Sequence, residues 1–399
     1  MIEYDFPIIT NIDIVRKAIK NRIEFIIKEE KENNLFIVNY IVAYDTSFQH
    51  PDCFSDPIEK LYAAIRKECR GMEFDSITGD IVTRKYHKFH NLNENEEYQA
   101  NSIDFTKKHW ILEKLDGSMI TLFNGKNGVE AHTKMGKTDV ADAVTMFLKD
   151  NHQYEVFKKY CDDANCTPIF EWCSRKQRIV IDYPKDELIL TGIRELNTGR
   201  YFTYDEICSL GKLYNLPVVK AFEISSSNPQ EFINFVENMD NSEGIVVRFE
   251  SGHMCKIKSS EYVLLHKSLD SLRYEKDILE LIVNDKVDDL ISLLMGDSQK
   301  SLIHYSNEVL KNINNYAMKL KNEVDEYKVK YDKKTFSLTV MPSLIRKERT
   351  MIFKVWDGAD PLDIVKNMVK DNCRTKNTVN DIRFIIKAEW SNVLIDNQD

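Results

Sequence analysis

The feature that most constrains this chain is a change of hydrophobic period near residue 265. Before it, apolar residues come in short runs rich in β-branched and aromatic side chains, several of them ended by turn-forming residues. After it, they recur three and four apart over long stretches. A strand repeats its face every second residue and a helix every 3.6, so the two parts call for different layers. Strands are predicted at 35–44 (LFIVNYIVAY), at 169–172, at 178–183 and at 188–196, the last ended by Asn197-Thr198-Gly199. The run 119–123 joins 129–132 through NGKNG as a hairpin, and 244–249 meets 255–258 about a turn at Ser251-Gly252. Between the strands, Asp139 is placed to cap a helix through Met146 and Leu148, and Phe232, Phe235, Val236 and Met239 have helical spacing. Many short strands with few helices between them predict antiparallel sheets rather than a doubly wound parallel one. Beyond the change, Ile278, Leu281, Ile282, Leu290, Leu293 and Leu294 mark amphipathic helix, as do Val309, Ile313, Tyr316, Leu320, Val324 and Tyr327. The expected fold class is α+β. An antiparallel-sheet domain spans 1–265, with an N-terminal α/β subdomain of about 1–105, and an all-α domain spans 266–399.

Composition narrows the function classes. The 399 residues are 43% apolar, enough for two or three domains with a sizeable core and too many for wholesale disorder. No run approaches 18 apolar residues, so no membrane span is expected, and the first residues lack the apolar stretch of a signal peptide. The eight cysteines are therefore expected as free thiols in a reducing cytoplasm, and Cys161, Cys166 and Cys173 do not have zinc-site spacing. A net charge of −9, taken alone, argues against a protein that coats nucleic acid with a broad basic face, but not against one that grips a short stretch through a local patch.

The sharpest chemical signal is Lys114-Leu115-Asp116-Gly117. A lysine, a spacer and Asp-Gly suit a covalent nucleotidyl transferase, in which the amine attacks the α-phosphorus of a nucleoside triphosphate. A free lysine, with a pKa of about 10.4, is neutral in only about one molecule in 10³ at pH 7, so burial or neighbouring cations must favour the neutral form. The motif alone is weak and reads equally as a surface turn after a strand. Its company strengthens it: Arg70-Gly71-Met72-Glu73-Phe74 and Lys88-Phe89-His90-Asn91-Leu92-Asn93-Glu94 upstream, and His132-Thr133-Lys134 downstream. Then follow Phe170-Glu171-Trp172 with Arg178-Ile179-Val180-Ile181, Glu243-Gly244-Ile245, and Lys256-Ile257-Lys258 with Tyr262 soon after. Lys256 and Lys258 alternate on a predicted strand, so both cations share one face, where they can hold a triphosphate and depress the pKa of Lys114. Glu243 at a strand start can bind Mg²⁺, Glu171 among aromatics can accept from a ribose hydroxyl, and Arg70 can grip a phosphate with two N–H groups. Taken singly, each of these charges reads as a solvated surface group.

The ordered set resembles the covalent nucleotidyl transferase superfamily of DNA ligases, RNA ligases and mRNA capping enzymes, and within it the bacteriophage RNA ligase 1 family, the tRNA-repair type. The resemblance covers about residues 60–265. It implies an ATP-dependent RNA ligase in which Lys114 carries AMP, Lys256 and Lys258 contact the α-phosphate, and Glu243 organises Mg²⁺ or Mn²⁺. It further implies nucleotide contacts by Glu113, Asp116, Gly117, Arg70, Lys88, Lys134 and Glu171, with Phe89 stacked near the adenine. The implied partner is RNA, a tRNA broken in its anticodon loop, handled by a cytoplasmic monomer away from membranes. Leu115 departs from relatives with an acid at that place, and residues 173–177 (CSRKQ) are more basic than the pattern leads one to expect. A DNA ligase or capping guanylyltransferase shares the central lysines, but both normally continue into a β-barrel, which the helical period after 265 disfavours. A non-catalytic nucleotide- or RNA-binding protein is a third reading. In the helical segment Lys311, Lys319, Lys321, Lys328, Arg346 and Lys347 are available to RNA phosphates, though as isolated charges they read as solvated helix faces.

Overall fold

Hydrogen-bond ladders between short neighbouring strands organise the first part of the chain. The computed structural model describes residues 6–44, 46–126, 128–224, 228–263, 272–292, 296–344 and 346–390. The chain divides into two units, Met1–Val263 and Leu264–Asp399. In the first, the strands are β1 (Phe25–Glu30), β2 (Leu35–Tyr40), β3 (Met72–Asp75), β4 (Ile81–Thr83), β5 (His109–Glu113), β6 (Ser118–Gly125), β7 (Gly128–His132), β8 (Cys166–Cys173), β9 (Glu187–Glu195), β10 (Ala221–Phe222), β11 (Gly244–Phe249) and β12 (Met254–Lys258). They form three four-stranded sheets with orders β1-β2-β3-β4, β10-β5-β11-β12 and β7-β6-β8-β9. Every named pairing is antiparallel, as the sequence predicts.

Helices supply the covers. Ile12–Ala18 (α1), capped by the Asn11 side chain, and Pro57–Glu68 (α2), capped by Asp56, pack Ile12, Val15 and Ile65 against Val38, Met72 and Phe74. Asp139–Lys149 (α3), Gln153–Asp163 (α4) and Tyr204–Leu213 (α5) bury Val144, Leu148, Phe157 and Ile207 with Ile120, Phe170 and Leu190 of the third sheet. Pro229–Glu237 (α6) buries Phe232 and Val236 against Ile245 and Val247 of the second.

Three expectations need correction. The strand predicted to reach residue 44 ends at Tyr40, directly opposite the start of its partner β1 at Phe25, with one further backbone bond beyond, from the Ile41 N–H to the Glu24 carbonyl at 2.9 Å. The α3 cap is Thr138, whose hydroxyl takes the Ala141 N–H, and Asp139 is the first helical residue. The apolar run 178–183 is irregular rather than a strand. Its Val180 and Ile181 amides find an acceptor in the Asp116 carboxylate instead of a neighbouring strand, so burial is met without a ladder.

The second unit is helical among its described residues: Glu275–Val283, Val287–Ser292, Gly296–Lys330, Lys333–Thr339, Arg346–Trp356, Pro361–Asn372, Lys376–Asn380 and Arg383–Ile386. The predicted stripe of Val309, Ile313, Leu320 and Val324 is buried, with Tyr316 and Tyr327 beside it, in a core shared with Ile278, Ile282, Val365 and Val369. Glu275 receives both Arg383 guanidinium nitrogens and the Tyr305 hydroxyl. Leu293 and Leu294 lie outside the described residues, as do the side chains of Arg346 and Lys347. Among the described residues no helix is long and apolar enough to cross a membrane.

Candidate active site at the crossing between two sheets

Lys114 lies in a four-residue crossing, 114–117, that carries the chain from β5 of the second sheet into β6 of the third. Hydrogen bonds fix the backbone of this crossing. The Lys114 N–H donates to the Gly244 carbonyl at 2.9 Å, and the Asp116 N–H donates to the Tyr183 hydroxyl at 2.9 Å. The buried Asp116 carboxylate accepts from Val180 and Ile181 N–H, both at 2.7 Å, and from the Tyr262 hydroxyl at 2.7 Å. Asp116 therefore acts as a tie between the crossing, the 174–186 connection and the residues after β12. Gly117 has a packing reason: a Cβ there would stand 2.3 Å from the Trp172 carbonyl oxygen and 3.0 Å from Glu171 Cγ. Gly244 has φ +137°, and a Cβ would meet the Ile257 oxygen at 2.0 Å, so a side chain would push apart the β11–β12 ladder that sets Lys258.

The Lys114 ammonium is held at 2.5 Å by Glu243, whose other oxygen takes Lys258 at 2.8 Å. Glu243 is buried, and Lys114 and Lys258 are partly exposed. Glu171, opposite Met119 on β8, feels burial first, which pushes its carboxyl up to about 7 against the pull of Lys114; the charge of Glu243 raises it further. Lys256, two residues before Lys258, is lowered to about 8 by burial and then by the like charges of Lys88 and Lys114. The residues after Lys88 run beside β12: Lys256 N–H donates to the His90 carbonyl and Leu92 N–H to the Lys256 carbonyl. This places the Phe89 ring 5.8 Å from Lys256 Nζ. Glu94 fixes the turn by accepting from the Asn91 amide and the His90 ring, which hold its carboxyl near 2 despite partial burial.

A second cluster forms around Tyr40. Lys134 Nζ lies 4.3 Å and Lys88 Nζ 5.6 Å from its ring centre. Burial raises the Tyr40 phenol, but Lys88, Arg70 and Lys134 together bring it below its ordinary value. Lys134 is itself lowered, by burial and then by the charges of Arg70 and Lys88. Its turn is closed by reciprocal Thr133–Gly136 backbone bonds, and the Lys134 carbonyl takes the Asn39 amide at 3.4 Å. Behind it, the fully buried Glu73 binds Lys85 and His132, which hold its carboxyl down near 2 against burial, while Lys85 Nζ donates to the Gly71 carbonyl next to Arg70. The two clusters share one field, since Lys88 depresses Lys256 and Arg70 acts on Glu171.

Lys114, Glu171, Glu243, Lys256 and Lys258 are thus brought together, with Arg70, Lys88 and Lys134 converging on Tyr40. Asp116 and Gly117 hold the crossing in place. Glu113 stands in the β5 ladder opposite Ile245, and its carboxylate has no hydrogen bond or ion pair among the described residues. Sequence reasoning missed Tyr40 and Tyr183. The aromatic end of β2 was the available signal for the first; nothing local marks the second. No group of three or more His, Cys, Asp or Glu side chains suited to a metal occurs among the described residues. The Glu243 carboxylate, whose charge Glu171 feels, is a donor of the kind a hard divalent ion takes when water and nucleotide phosphate oxygens complete its shell.

Residues 68–262 match the family described as RNA ligase. A Thermovibrio ammonificans protein named "Putative RNA ligase" is 27% identical over 293 residues, covering 70% of this chain and 73% of the relative. A "Putative bifunctional polynucleotide kinase/RNA ligase" of Autographa californica nuclear polyhedrosis virus is 26% identical over 67% of this chain and 38% of its own length. Among solved structures, an archaeal ATP-dependent RNA ligase aligns with TM-score 0.45 and 15% identity over 66% of this chain and 65% of that one. A Naegleria gruberi RNA ligase aligns with TM-score 0.38 and 17% identity over 46% and 57%. The matched segment holds Lys114 and, apart from Tyr40, the groups gathered around it, and it is through residues 68–262 that this chain matches the RNA ligase family of the bacteriophage RNA ligase 1 type.

Proposed function

We propose that this protein is an ATP-dependent RNA ligase that joins 5′-phosphate and 3′-hydroxyl ends through enzyme–AMP and RNA-adenylate intermediates. The observation that carries the reading is Lys114 in contact with Glu243, whose second oxygen holds Lys258, inside the family-matched segment. In the first step Lys114 Nζ, after giving up a proton, bonds to the α-phosphorus of ATP, and the bond to pyrophosphate breaks. In the second a 5′-phosphate oxygen of RNA takes the AMP, and the P–N bond breaks. In the third the 3′-hydroxyl attacks the activated phosphate, loses its proton and expels AMP. Negative charge gathers on non-bridging oxygens in each step, so fixed cations aimed at them supply the main stabilisation. Lys256 and Lys258 suit the α-phosphate, Arg70, Lys88 and Lys134 the outer phosphates, and Glu171 the ribose. A divalent ion, Mg²⁺ or Mn²⁺, held by Glu243 with Glu171 nearby would neutralise phosphate charge. The substrate proposed is a tRNA cut in its anticodon loop, with the helical unit as the part that reads it, and the working form is a monomer in the cytoplasm.

Incubation with α-labelled ATP should transfer label to the protein, and Lys114→Ala should abolish transfer. Labelling by GTP alone would point to a capping guanylyltransferase, and preferential sealing of nicked duplex DNA to a DNA ligase; either outcome overturns the reading.

A further inference from the structure

The connection from β8 to β9, residues 174–186, carries cations that the nucleotide chemistry does not use. Arg175, Lys176, Arg178 and Lys185 stand there against Asp182 and Asp186, in a chain whose net charge is −9. The segment is held from within. At its base Ser174 Oγ donates to Asp186 at 2.8 Å, the Arg175 N–H reaches the same oxygen at 3.1 Å, and Trp172 Nε1 donates to Gln177 at 2.8 Å. On its far limb the Val180 and Ile181 amides are bonded to Asp116, two residues from Lys114. The amides and the apolar side chains of Val180 and Ile181 are thereby turned inward, while Arg175, Lys176, Arg178 and Ile179 remain exposed. Asp186 is engaged with the segment's own base. Arg175 faces Asp182 at 3.4 Å with both side chains largely in water, where such a pair contributes little. Lys176 has no acidic partner among the described residues.

We infer that this segment seats the backbone of the RNA strand whose 5′ end reacts at Lys114, with Arg175 and Lys176 on its phosphates. The inference rests on the ligase reading above. Second-step chemistry must bring an RNA 5′-phosphate to the AMP on Lys114, and the strand behind that phosphate has to leave across a neighbouring surface. This segment is bonded to the Lys114 motif through Asp116, and it presents its cations on a backbone already fixed by hydrogen bonds. Interactions of this kind position a strand and do not read its sequence. Exposed Ile179 adds an apolar surface beside them.

The test charges the protein with labelled ATP, removes free nucleotide, and follows AMP transfer to a short 5′-phosphorylated RNA as a function of RNA and salt concentration. Three variants are compared with the unmodified chain: Arg175→Glu/Lys176→Glu, Arg175→Gln/Lys176→Gln, and Lys159→Glu/Lys212→Glu. The last changes two exposed lysines elsewhere in the first unit and matches the first in added negative charge. AMP loading reports that the Asp116 tie is intact. The expected result is loading in all three, with half-saturating RNA raised about tenfold or more in both 175/176 variants. The slope of log affinity against log salt should fall by about 0.7 for each phosphate that the variant leaves without its cation. The 159/212 variant should keep the unmodified slope. Equal weakening in the 159/212 variant, an unchanged slope in the 175/176 variants, or failure of AMP loading in both of them overturns the inference. If the unmodified protein takes no AMP from ATP, the ligase reading fails first. Filter binding of the same RNA to the same variants then judges the surface alone, with undiminished binding by the 175/176 variants overturning it.

Discussion

At the scale of single residues the site is governed by two groups with displaced protonation. Glu171 is pushed up to about 7, chiefly by burial, and Lys256 is brought down to about 8, by burial and then by Lys88 and Lys114. The signs follow. Below about 7 Glu171 is neutral and a weak partner for a ribose hydroxyl or a cation; above about 8 Lys256 is neutral and no longer balances phosphate charge. AMP loading should therefore rise with pH through about 7 and decline above about 8. Lys256→Arg, which stays charged, should carry the upper limb to higher pH, and Glu171→Gln should remove the inflection near 7. Rates of labelling between pH 6 and 10 check both, and identical limbs in both variants would assign them to other groups. Order in the sequence led to Lys114, Glu171, Glu243, Lys256 and Lys258, because the chemistry needs those residue types whatever the fold. It could not lead to Tyr40, since the cations around it come from the end of α2, the segment before Phe89 and the 133–136 turn. Their meeting is a product of tertiary structure.

At the scale of elements, glycines at strand ends decide how closely the sheets approach the crossing. Gly244→Ala meets both a left-handed φ and a carbonyl 2.0 Å away, so it should cost about 3 kcal/mol in urea unfolding, and it should disturb Lys114, which bonds to the Gly244 carbonyl. Gly128→Ala is the comparison: φ is +119° but no atom lies within 4 Å of the added carbon, so about 1 kcal/mol of backbone strain is expected. Similar losses from the two would mean that the close approach to Ile257 is not what matters. The strands of the hairpin 118–132 and of 244–258 were legible because alternation and turn residues agree there. The run 178–183 was misread for a physical reason. Arg-Ile-Val-Ile has strand composition, yet its amides are met by a carboxylate more than sixty residues earlier, a partner no local pattern records. Helices α1 and α2 went unforeseen, the first because two turns give too short a stripe to stand out.

At the scale of the molecule, each unit buries hydrophobic residues of its own. Removal of residues 264–399 should leave AMP loading and the joining of short linear RNA intact while abolishing a preference for a nicked anticodon stem-loop. Sealing assays with both substrates check this, and an unchanged preference would exclude the helical unit from recognition. A shorter chain ending at Ser260 should also lose AMP loading, because it removes the Tyr262 hydroxyl that completes the Asp116 carboxylate. The difference between these truncations separates what the tail reads from what the residues after β12 support.

The crossing at 114–117 has a thermodynamic consequence. The amides of Lys114 and Asp116, and those of Val180 and Ile181, are already bonded within the protein, so the backbone entropy of the surroundings of Lys114 is surrendered on folding and not when a ligand arrives. What remains to be immobilised on nucleotide binding is chiefly the long side chains of Lys114, Lys256 and Lys258, each of which loses at most about 2 kcal/mol of rotamer freedom. The proposed binding site is in this sense pre-organised in its main chain and adaptable at the tips of its lysines.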